Sequence, residues 1–167
     1  DGHPGIPPEE YAEACAELIC AAHDAGVTYF DTAPGYFEGR SEERFGLAFE
    51  ELKRRERPFY CATKTTAAEP EAVRRDLERS LERLGVDRVD FYHVWWVVRP
   101  SAYFDRKARG ALEEFSRLKE EGLIGHVVLS SHMSGAESEA VLADYPFEGI
   151  LVGYSALNAV FRERSLE

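Results

Sequence analysis

The chain has 167 residues, 44% of them hydrophobic and 31% charged, the balance of one soluble globular domain. Its 31 acidic residues outnumber 20 basic ones, and the formal net charge of −11 argues against a nucleic-acid partner or an anionic membrane surface. No apolar run approaches the roughly 20 residues of a bilayer span, and no basic segment with an apolar core opens the chain, so a cytoplasmic protein is expected.

Helical and extended patterns alternate along the chain. Residues 7–26 place apolar side chains at helical spacing, with prolines before them and Gly26 after. Residues 27–31, VTYFD, form a short β-rich run. A helix follows over 41–55, opened by Ser41 and two glutamates that suit the N-terminal dipole. PFYCATK, 58–64, reads as a strand. Residues 69–85 read as an amphipathic helix with Val73, Leu77, Leu81 and Leu84 on one face and a closing glycine. A strand over 89–98, a helix over 111–122 and a strand over 125–132 come next. Ser134 and Glu137 form a capping box opening a helix over 134–145, and a last strand covers 149–155.

The strands are apolar at consecutive positions, as strands covered on both faces should be. Regular βα alternation implies a parallel sheet, either doubly wound or closed as a (β/α)8 barrel. No GxGxxG follows a strand, and polar residues gather just after strand ends at Asp31, Lys64, Ser130, Ser131 and His132. In a barrel that end is the catalytic face, so the expectation is an α/β fold of the parallel (β/α)8 TIM-barrel type. A whole barrel takes about 250 residues. The chain therefore reads as one barrel domain over 1–167 that holds about five βα units, the second to sixth strands, and is incomplete at both ends.

Three residues at successive strand ends carry candidate chemistry. Lys64 is one of only four lysines and ends an apolar strand. It is either a snorkelling surface lysine or a buried ammonium in need of a carboxylate, which Asp31 at the end of the preceding strand would supply. Tyr36 follows five residues after Asp31. Alone it reads as a loop aromatic. Beside an ammonium, which favours a phenolate, it becomes a proton donor for a developing alkoxide. The cysteines Cys15, Cys20 and Cys61 are odd in number and form no CxxC pair, so buried thiols are expected and neither a disulfide framework nor a metal cluster. His93, His126 and His132 offer no HxH or HExxH spacing, and no metal is expected.

GVTYFDTAPGYFEGRSEERFG, residues 26–46, resembles the second-strand signature of the aldo-keto reductases. ATK resembles the family's third-strand lysine, VDRVDFYHVWW its fourth strand, GLIGHVVLSSH its fifth, and YSALNAVF the segment after its sixth. The likeness covers most of residues 8–163 and is nearest the bacterial branch whose members often carry an iron–sulfur domain, although no such cysteines occur here. The resemblance implies a carbonyl reductase using NADPH or NADH on a small-molecule aldehyde or ketone. Its Asp–Tyr–Lys–His tetrad would place Tyr36 as proton donor, Lys64 as its partner and Asp31 as the group holding Lys64. Thr32, Ser130, Ser131 and Tyr154 would contact the cofactor, and Trp95, Trp96 and Tyr103 would wall the substrate pocket.

Two positions depart from the family pattern. Five residues after Asp90, where the histidine is expected, stands Trp95, while His93 lies two residues earlier on the same strand face. Either a register shift brings His93 to the substrate, or Trp95 fills that corner with its indole N–H as the donor. At the sixth strand Leu151 occupies the place of a glutamine. These departures leave a second expectation open, a catalytically weak nucleotide-binding or regulatory protein on the same fold.

Overall fold

The structure, a computed structural model, describes residues 8–153. In chain order the elements are α1 (Pro8–Asp24), β1 (Tyr29–Asp31), α2 (Ser41–Arg54), β2 (Tyr60–Thr65), α3 (Pro70–Leu84), β3 (Val89–Val97), α4 (Pro100–Ala108), α5 (Ala111–Glu120), β4 (Ile124–Ser131), α6 (Gly135–Leu142) and β5 (Gly149–Val152). All strand pairs are parallel, and the sheet order is β1-β2-β3-β4-β5, each strand beside the one before it. A doubly wound sheet would reverse order at a switch point. The uninterrupted order is that of a barrel wall, and the sheet curls as a partial (β/α)8 barrel, as the alternation predicts.

Strand periodicity sorts the side chains between two layers. Phe30, Cys61, Tyr92, Val94, Val127 and Leu129 point toward the helices and join Phe49, Leu52, Leu77, Phe115, Leu118 and Val141 in the hydrophobic core. Fully burying each such large side chain stabilises the fold by roughly 1.5–3 kcal/mol. The amphipathic face read over α3 is the buried one: Val73, Leu77 and Leu84 are fully buried, and Gly85 closes the helix at φ +62°. The capping box of α6 forms, with Glu137 accepting from the backbone N–H and hydroxyl of Ser134 at 3.0 and 2.7 Å. The opposite, concave face carries Asp31, Lys64, His93, Val128 and Ser130. Below them Tyr29, Phe91 and His126 form a ring-to-ring row, with centroids 5.3 and 5.1 Å apart.

Three local features differ from the sequence pattern. Residue 40, not Ser41, is the N-cap of α2; the Ser41 hydroxyl instead bonds that of Thr32 at 2.8 Å, tying the end of β1 to the start of α2. The helix α4 is not predicted, because Tyr103 alone among its nine residues is fully buried and no apolar periodicity marks it. Its signal is Pro100, which occupies the first helical turn. Finally, β3 contains a bulge: Val94 pairs with Leu129 but Val97 with Ser131, so β3 advances three residues where β4 advances two. Trp96 absorbs the extra residue at φ +56°, the left-handed region that bulky side chains rarely enter.

Candidate active site

Parallel pairing assembles the polar cluster. Asp31 is in register with Ala62, and Lys64 lies one inward-facing position further along β2, in register with His93 of β3. Lys64 reaches back so that its Nζ donates to Asp31 Oδ1. The lysine side chain is 1% exposed and that of Asp31 25%, so the ammonium is the buried partner of the ion pair. A buried ammonium without a carboxylate would be strongly destabilising, and this settles which of the two readings of Lys64 holds. Burial pushes the Asp31 carboxyl above its ordinary range, against the opposing pull of Lys64.

Tyr36 stands above this pair, 42% exposed on the loop after β1. Lys64 Nζ lies 5.0 Å from the centroid of its ring, so the cation faces the π-surface of the phenol. The loop turns sharply: Tyr36 N–H donates to Ala33 at 3.1 Å, and Phe37 and Glu38 follow at φ +50° and +55°. Trp95 packs edge-on against Tyr36, with centroids 5.7 Å apart and planes at 87°. Its ring covers Gly35 so closely that a Cβ there would lie 3.3 Å from Trp95 Cη2. Trp95 is thus the β3 residue that reaches the phenol. Arg106 of α4 pins the bulge from outside, donating from Nη1 to the Trp95 carbonyl at 2.6 Å. Burial holds its guanidinium below its ordinary range. The sequence gives no sign of that contact.

His93 sits deeper, beside the ion pair. Its ring is 1% exposed, and neither nitrogen has a hydrogen-bond partner among the described residues. Nε2 lies 4.0 Å from Asp31 Oδ2, which is also unpartnered. Burial, reinforced by the Lys64 charge, lowers the imidazole to a pKa of about 3, so the ring is neutral over the working pH range.

The remaining candidates divide by strand face. Ser130 lies on the concave face beside Leu151 of β5 and is 4% exposed. Ser131 points the other way: its hydroxyl bonds Ser138 of α6 at 2.9 Å and accepts the Met133 N–H at 3.1 Å. Period two allows only one of two consecutive serines to face inward, so Ser131 holds α6 to the sheet. The Thr32 hydroxyl is likewise occupied by Ser41. Tyr103 does not line the concave face. It is fully buried in the helical layer, its ring against Phe147 and its hydroxyl donating to Asp144 at 2.7 Å, because it belongs to α4 and not to a loop over the sheet. Trp96 is 57% exposed at the bulge. Tyr154 lies outside the described residues. His126 bonds Glu148 at the opposite end of the sheet, 2.9 Å from Nδ1 to Oε1, and no metal-binding group of three side chains occurs among the described residues.

Ser130 and Leu151 stand side by side in register on the concave face that also carries Asp31, so a hydroxyl beside an apolar side chain is the donor set there for an amide-bearing ring.

The sequence profile of the Aldo/keto reductase family matches residues 3–166. Over 130 residues the chain is 31% identical to the NADH-specific methylglyoxal reductase of Escherichia coli, covering 67% of this chain and 39% of that protein. Over 155 residues it is 30% identical to the aldo-keto reductase yakc [NADP(+)] of Schizosaccharomyces pombe, covering 86% of this chain and 44% of the relative. Among solved structures, an aldo-keto reductase from Pseudomonas aeruginosa superposes with a TM-score of 0.75 at 26% identity, covering 98% of this chain and 63% of that one. The chain therefore spans less than half the length of these two curated relatives. The profile covers nearly the whole chain, and the relatives and the superposition point the same way: the chain belongs to the aldo/keto reductase family.

Proposed function

We propose that the protein reduces the carbonyl of a small aldehyde or ketone at the expense of NADPH or NADH, with Tyr36 delivering the proton. The observation that carries this reading is the buried Lys64 ammonium, fixed by Asp31 and facing the Tyr36 ring at 5.0 Å. A preorganised cation beside the phenol stabilises the charge that proton donation leaves behind, and it needs no reorganisation because Asp31 already holds it. A bound nicotinamide supplies the hydride. Ser130 would hold the carboxamide from the concave face, since a hydroxyl both donates and accepts. Trp95 packs over Gly35 and edge-on against the phenol, an apolar wall that favours carbonyl substrates with an apolar substituent on that side. Neutral His93 acts on the Asp31 side of the pair and not on the substrate. The test is Tyr36→Phe in the intact protein: reduction of an aldehyde panel should fall by roughly 100-fold or more while cofactor affinity is unchanged. Unchanged turnover would refute the assignment.

Trp95 and Leu151 favour a second reading, a protein that binds the nucleotide but turns over slowly, because both put apolar groups where polar ones would orient substrate and cofactor. Saturable NADPH or NADH fluorescence without oxidation across the same panel would select it.

A further inference from the structure

Behind the loop that carries Tyr36, outside the sheet, α1 and α2 line a separate open groove of about 210 Å³. Tyr11, Cys15 and Ile19 of α1, Phe37 of the loop and Phe45 of α2 form an apolar wall. Among the described residues Arg44 is the only charged one lining it, and it is 7% exposed. Its guanidinium carbon lies close to two aromatic rings, 3.7 Å from the Phe37 centroid and 4.8 Å from that of Tyr11. Those two rings are near parallel at 5.6 Å and 17°. No carboxylate pairs with Arg44 among the described residues, although the other strongly buried cation, Lys64, has one. Ring faces compensate part of the charge but accept none of the guanidinium's five N–H donors in the plane where a carboxylate would bind them.

We propose that this groove is a binding site for a small monocarboxylate with an apolar body, its carboxylate taken by Arg44 and its body by the α1–α2 wall. The volume lies below the roughly 300–1,000 Å³ of pockets for drug-sized ligands, which limits the occupant to a short aliphatic or monocyclic acid. The site is distinct from the concave mouth, yet Phe37 is the chain neighbour of Tyr36. An occupant therefore presses on a loop already held at positive φ at Phe37 and Glu38, and so influences where the phenol sits.

Cys15 provides the readout, because it is half-buried at the groove wall while Cys20 and Cys61 are 8% and 1% exposed. The rate of Cys15 alkylation by iodoacetamide in the intact protein, followed by peptide mass spectrometry at constant ionic strength, is measured against hexanoate and, separately, hexan-1-ol. Hexanoate should protect saturably with a dissociation constant on the order of 1 mM, and hexan-1-ol, equal in shape but uncharged, should protect at least about tenfold less well. Arg44→Met should abolish protection by hexanoate, and Arg44→Lys should retain part of it. Equal protection by acid and alcohol, no protection by either, or undiminished protection in Arg44→Met would overturn the proposal. If circular dichroism shows Arg44→Met to be misfolded, the acid–alcohol comparison in the unmodified protein decides alone.

Discussion

Replacing His93 by leucine should make the protein less sensitive to acid. The native imidazole, 1% exposed and without a hydrogen-bond partner among the described residues, has a pKa near 3, against 6.5 for an ordinary histidine. Between those values the unfolded chain binds a proton that the native state refuses. A histidine with a depressed folded pKa contributes stability that is present above the unfolded value and lost as pH falls toward the folded one. Each unit of pH across that window costs about 1.4 kcal/mol, so from pH 7 to pH 4.5 this histidine alone removes about 2.5 kcal/mol of stability. Urea unfolding of the wild-type and His93→Leu proteins at both pH values isolates the term, because every other titration cancels in the difference of differences. Leucine should hold the stability gap between the two pH values about 2.5 kcal/mol smaller than in the wild type. A gap equal in both proteins would mean that His93 is charged or solvated in the native state, and the placement of a neutral ring beside Asp31 would be wrong.

Two further perturbations test the site from other sides. Asp31→Asn strands the buried Lys64 ammonium and should lower the unfolding free energy by about 3 kcal/mol at pH 7, in addition to abolishing turnover; a stability loss under about 1 kcal/mol in urea titration would show that Lys64 is not held as described. Tyr103→Phe removes the bond to Asp144 in the helical layer and should cost about 1 kcal/mol in the same assay while leaving KM for any carbonyl substrate unchanged; a raised KM would return Tyr103 to the pocket wall.

Much of the site is legible in the sequence because strand geometry is periodic and local. Asp31 and Lys64 end neighbouring apolar runs, so parallel pairing alone brings them together, and the five-residue step to Tyr36 spans a single turn. The same periodicity puts His93 and Trp95 on one face. What it does not give is the bulge between Val94 and Val97, which depends on how β3 meets β4 and leaves no mark in either strand taken singly. Ser130 and Ser131 show the opposite case: alternation already implies that only one can face inward, and the resemblance assigned both to the cofactor. Tyr103 read as a pocket aromatic because α4 lacks the apolar stripe that would have announced a helix. The contact of Arg44 with the rings of Tyr11 and Phe37 joins two elements some 30 residues apart in sequence, a contact that no spacing rule detects.

The uninterrupted sheet order has a consequence for how the molecule acquires its site. Each strand pairs with the one synthesised just before it, across crossovers such as Tyr29 to Tyr60 and Phe91 to His126. The entropy of closing such loops rises only slowly with their length, although parallel pairing is slow compared with helix formation. The wall can grow stave by stave at the ribosome, where roughly 5–20 residues emerge each second. Asp31 meets Lys64 when the first crossover closes, whereas Tyr36 meets Trp95 only after the next strand has joined. In this order of growth the lysine has its counterion available before the strand that carries Trp95 joins the wall.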